Sequence, residues 1–126
     1  VCSHYRYRVK TNQTQLKTKP IAFAEWVRKS YADHNPFYYD NPKMFMPQSD
    51  WLCDQNGDLL VDEVYQFERL SSDFARFCRK FNIADAQLPH LKASKSVDYK
   101  SFYDAPTKAI IEECFASDLR LFNYKF

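Results

Sequence analysis

The chain reads as an α/β fold that is mostly helical, with a small hairpin-containing sheet, and two observations carry that reading. Four segments show helical signals. Between the second and third, residues 51–61 place Asn56 before Gly57, the sole glycine of 126 residues, between apolar stretches. An Asn-Gly pair so placed predicts a type I′ turn, because both central residues need positive φ and these two tolerate it best. An extended 64–67 then adds to the sheet. The order is helix, helix, strands, helix, loop, helix, an incomplete α/β unit whose aromatic helices need more sheet, or another surface, to cover them.

Each element has its own warrant. Residues 2–10 mix aromatics with cations and predict the end of a helix that begins upstream, and the polar, aperiodic 11–19 predicts a loop. Pro20 opens a helix with Phe23, Trp26, Val27 and Tyr31 on one face, ending near Asp33. Three prolines within 35–47 predict another loop. Ser71 as N-cap and Asp73 in the first turn start the next helix, with Phe74, Phe77, Cys78 and Phe81 on its stripe. A loop over 82–101 leads to a last helix. Asp104 caps it, Pro106 lies in its first turn, and Ile110, Ile111, Cys114, Phe115, Leu119 and Phe122 give it a wide apolar face.

Composition limits the function classes. One domain of this length can bury a core, and 17% aromatic content, with nine Tyr and eleven Phe, supplies large rigid packing units. A net charge of +2 does not argue for nucleic acid. Its distribution is uneven. Arg6, Arg8, Lys10, Lys17, Lys19, Arg28 and Lys29 face only Glu25 within residues 1–30, while 50–73 holds seven acids against Arg69. Such a basic end suits an anionic ligand, or is simply a solvated face. Cys2, Cys53, Cys78 and Cys114 are dispersed, without zinc spacing; two disulfides are open in an oxidising compartment, but Cys78 and Cys114 on apolar faces favour buried free thiols. No stretch reaches the roughly 20 apolar residues of a membrane span.

The block 48–70, through Gln48, Asp50-Trp51-Leu52, Asp54, Asn56-Gly57, Val61-Asp62, Tyr65 and Phe67-Glu68-Arg69-Leu70, resembles the C-terminal half of the sulfotransferase family that includes Golgi carbohydrate sulfotransferases and bacterial relatives. Phe23-Ala24-Glu25-Trp26-Val27-Arg28 resembles the family's helix before its variable loop. Leu88-Pro89-His90 with Ser94 resembles the loop after the next helix, and 118–126, ending Leu-Phe-Asn-Tyr-Lys-Phe, resembles the terminal pattern. Order and spacing agree along nearly the whole chain. The resemblance implies the C-terminal portion of a P-loop-like sulfotransferase fold.

It also implies a nucleotide site. Cys2-Ser3-His4-Tyr5-Arg6-Tyr7-Arg8 resembles the last part of the family motif whose serine holds the 3′-phosphate of 3′-phosphoadenosine-5′-phosphosulfate, so Ser3 takes that role with Arg6 or Arg8 beside it. A serine hydroxyl donates one hydrogen bond to phosphate while arginine carries the charge; without the resemblance, Ser3 reads as a helix-end cap. Lys92, Ser94 and Lys95 match a loop that folds over the nucleotide, or form a solvated connection. No catalytic residue is assigned. The loop that cradles the 5′-phosphosulfate needs glycines this chain lacks, and the family's catalytic base lies ahead of the 3′-phosphate motif, so both are expected before Val1. His4, His34 and His90 read as partly exposed structural histidines.

Two functions follow as expectations. In one, the chain is the C-terminal part of a sulfotransferase acting on a hydroxyl, that of a carbohydrate, with the aromatic 36–45 loop shaping the acceptor cleft; alone it is inactive. In the other, it is a binding or structural module that keeps the scaffold without the chemistry. Apolar surface left uncovered predicts a homodimer. The compartment follows the source, cytoplasmic for the bacterial relatives and the Golgi lumen for the eukaryotic ones.

Overall fold

The computed structural model describes residues 1–84, 88–89 and 97–126 and divides into two units. Val1–Leu52 with Val97–Phe126 forms the first, and Cys53–Ser96 the second. The fold is mostly helical.

The first unit is organised by Trp26. Its helix, α2 (Phe23–Val27), continues through a π-helical turn, Arg28–Ala32, and buries Phe23, Trp26, Val27 and Tyr31. The helix starts at Phe23, later than Pro20 implies, because Ala22 is extended. α1 (Cys2–Lys10) lays Cys2, Tyr5 and Val9 on the same core, to which Leu16 and Phe45 add buried side chains. Trp26, fully buried, meets the rings of Tyr5 at 5.4 Å, His4 at 5.5 Å, Tyr31 at 5.8 Å and Phe45 at 6.2 Å between centroids. Edge-on and tilted contacts of this kind each add about 0.5–1.5 kcal/mol beyond burial. Eleven of the 22 aromatic residues thus belong to this core or pack against it.

α5 (Ala105–Cys114) completes this core through Ile111. Asp104 caps it by accepting from the Thr107 amide at 2.9 Å, while the Thr107 hydroxyl accepts from the Asp104 amide at 3.0 Å, and Pro106 occupies the first turn. The predicted last helix is broken at Phe115 (φ −112°, ψ 22°), after which α6 (Ala116–Leu121) begins. From α6, the Asp118 carboxylate accepts from the backbone amides of Gln48 and Ser49, both at 2.8 Å. Those amides open the short helix α3 (Ser49–Leu52), so Asp118 acts as its cap from elsewhere in the chain.

The predicted sheet is absent among the described residues. Its only trace is an antiparallel bridge between Cys53 and Leu59 in the second unit. Asp50, Trp51 and Leu52, expected to open the hairpin, are helical because Asp118 satisfies the first amides of their turn. The turn also differs from type I′. Gly57 alone has positive φ (88°), its amide bonds to the Asp54 carbonyl at 3.0 Å, and the Asp54 carboxylate accepts from the amides of Asn56 and Asp58. An aspartate that gathers amides in this way moves the turn one residue upstream. Segment 64–67 does not pair, and a 3₁₀ turn (Phe67–Arg69) leads directly into α4 (Leu70–Lys80). Ser71 therefore lies inside α4 and does not cap it. All four cysteines are free, Cys2 and Cys78 buried, Cys53 and Cys114 partly so.

Candidate functional site

α1 separates its polar residues onto two faces. At 100° per residue, Ser3, Arg6, Tyr7 and Lys10 share one arc, with Cys2, Tyr5, Arg8 and Val9 turned to the core. Ser3 is exposed on α1. Arg6 follows one turn later and makes no ion pair with any described residue. The two residues expected to meet a phosphate therefore share a solvent-facing arc, with Lys10 farther along it.

Arg8 does not join them. Its side chain is 1% exposed and its guanidinium pairs with Asp40 at 2.7 Å while lying over the Phe45 ring at 5.6 Å. It is a core residue that ties α1 to the proline-rich loop. His4 belongs to the same interior: burial first, and the Arg8 charge second, pull its pKa down to about 4, so the ring is neutral at neutral pH. Packed between Trp26 and Phe45, it is a wall of the aromatic cluster. His34 is exposed against Tyr39.

The aromatic loop is likewise divided. Phe45 is buried against Tyr31 and Tyr39, so it cannot stack on a sugar, whereas Phe37 is about half exposed. Lys92, Ser94, Lys95 and His90 lie outside the described residues.

Two grooves were not foreseen. One, of about 380 Å³ in the second unit, is lined by Glu63, Val64, Tyr65, Arg76, Phe77 and Lys80. The hydrogen bond from Lys80, and then that from the Tyr65 hydroxyl, hold the Glu63 carboxyl below its usual range, and Arg76 lies over the Tyr65 ring at 5.8 Å. Arg76 and Lys80, four apart with Phe77 between them, were the legible signal. The other, of about 260 Å³ in the first unit, lies among Lys100, Tyr103, Asp104, Lys108 and Phe126. Among the described residues, no group of His, Cys, Asp and Glu side chains is placed to hold a metal ion, and no helix is long and apolar enough to cross a membrane.

Comparison of the chain with protein-family models, curated proteins and solved structures gives no match.

Proposed function

We propose that this chain is the C-terminal part of a sulfotransferase of the carbohydrate type, contributing the 3′-phosphate end of the site for 3′-phosphoadenosine-5′-phosphosulfate. The supporting observation is the Ser3–Arg6 arc: on one face of α1 an exposed hydroxyl and, one turn on, a half-buried guanidinium that makes no ion pair among the described residues. These residues suit a phosphate. A hydroxyl donates one hydrogen bond, and a guanidinium supplies charge and up to two more.

When bound, the nucleotide supplies an activated sulfuryl group. The residues of this chain orient its far end and exclude competing poses. The only glycine, Gly57, sits in a turn of the second unit, so these residues do not build a glycine-rich phosphate loop, and the reading assigns no turnover to the 126 residues alone. The hydroxyl acceptor, a carbohydrate in this reading, has Phe37 and the flanking loop as its candidate contacts. The sheet of a P-loop-like sulfotransferase fold would then have to come from outside the described residues.

Calorimetric titration with 3′-phosphoadenosine-5′-phosphate, against adenosine-5′-phosphate as the partner lacking the 3′-phosphate, tests this. The 3′-phosphorylated nucleotide should bind more tightly, and Arg6→Ala should weaken it at least about tenfold, the effect of one charge-assisted hydrogen bond. Equal affinity for the two nucleotides would refute the assignment.

A further inference from the structure

Asn12, Gln13 and Thr14 form the pattern Asn-x-Thr with x other than proline, the acceptor pattern for asparagine-linked glycans. None of the other five asparagines, at 35, 41, 56, 82 and 123, has Ser or Thr two residues on. The pattern lies in the turn after α1. Asn12 is exposed and holds φ 56°, a left-handed conformation that asparagine tolerates better than most residues.

Its amide side chain is divided between two tasks. Oδ1 accepts from the amides of Lys17 at 3.0 Å and Thr18 at 3.2 Å and from the Thr18 hydroxyl at 3.5 Å, which fixes the turn. Nδ2, the atom a glycan would occupy, donates to no described residue. Among the described residues, the Thr14 hydroxyl donates only to the carbonyl of its neighbour Gln13, at 2.7 Å.

We infer that Asn12 accepts an N-linked glycan when the chain is made in a compartment holding an oligosaccharyltransferase. The donor is a lipid-diphosphate-linked oligosaccharide. Its C1–O bond to the diphosphate breaks as the Nδ2–C1 bond forms; the diphosphate leaves with the electron pair, and one amide proton passes to a base of the transferase. The product keeps its carbonyl oxygen, so all three hydrogen bonds to Oδ1 survive, and glycosylation is compatible with the folded turn. This site is independent of the nucleotide reading, because Asn12 follows the end of α1 opposite to Ser3.

The full chain, placed behind a cleavable secretion signal and expressed in mammalian cells, tests it by gel mobility and intact mass before and after peptide-N-glycosidase. The inference expects a glycan-sized shift that the amidase removes, leaving aspartate at position 12 in the recovered peptide. Thr14→Ser should keep the shift and Thr14→Ala should abolish it, while neither disturbs the Asn12 hydrogen bonds. An unshifted wild-type chain, or a shift that persists in Thr14→Ala, overturns it. Loss of nucleotide affinity would leave this result unchanged, so the two failures are distinguishable.

Discussion

At the scale of residues, the first unit depends on polar groups whose partners lie far along the chain. Asp118 meets amides 69 and 70 residues away, and Arg8 meets Asp40, 32 residues away. Asp118→Ala leaves the amides of Gln48 and Ser49 without an acceptor and should cost about 1–2 kcal/mol, read by urea denaturation. His4 gives a pH signature. Its folded pKa of about 4 lies below its ordinary 6.5, so the unfolded chain takes up the proton first. Stability should therefore fall as pH drops from about 6.5 towards about 4, and His4→Gln should flatten that window in acid-titrated melting curves. Asp104 acts lower. The Thr107 side chain, then the Thr107 amide, hold its carboxyl below the usual range, so its contribution is present above about pH 4 and is lost as the pH falls through its lowered folded value. Asp104→Asn should shrink the loss below pH 4 without touching the higher window.

At the scale of elements, the local signals that succeeded were those whose partners sit within a few residues. Residues 2–10 are helical, as expected of them, and α5 starts where Asp104 and Pro106 place it. The hairpin failed for a non-local and a local reason. Asp118 makes a helix of residues expected to open the hairpin, and Asp54 outcompetes the Asn56-Gly57 pair for the turn amides. Gly57 still matters, since its φ of 88° is disfavoured for any residue with a Cβ, although the space around it is open. Gly57→Ala should therefore destabilise the second unit through backbone strain alone, by about 1–2 kcal/mol, seen as faster amide exchange in residues 53–61. That Ser3 and Arg6 share a helix face was legible from their three-residue spacing, while their phosphate role rests on the family resemblance alone. That Arg8 faces inward was not legible, because nothing local distinguishes two arginines two positions apart.

At the scale of the whole molecule, the two units differ in how much they bury. The first has a continuous aromatic core, and Trp26→Ala, removing its centre, should cost about 3–5 kcal/mol, a large share of the 5–15 kcal/mol that holds a typical domain folded. In the second, Asp73 and Cys78 are the only buried residues among those described, while Leu60 is 69% and Phe67 81% exposed. Surface of that kind is normally covered, and a second copy of the chain is the expected cover; light scattering should show a mass that rises with concentration, and Phe67→Asp should lower it. A strict monomer at high concentration would contradict this. We propose, more narrowly, that the exposed arc of α1 holds a nucleotide 3′-phosphate. The most direct test of this is an NMR titration of the amide resonances with 3′-phosphoadenosine-5′-phosphate. The account predicts saturable shifts centred on Ser3 to Tyr7 that vanish in Arg6→Ala and are absent with adenosine-5′-phosphate; a titration that leaves α1 unperturbed, or moves it equally with both nucleotides, would contradict it.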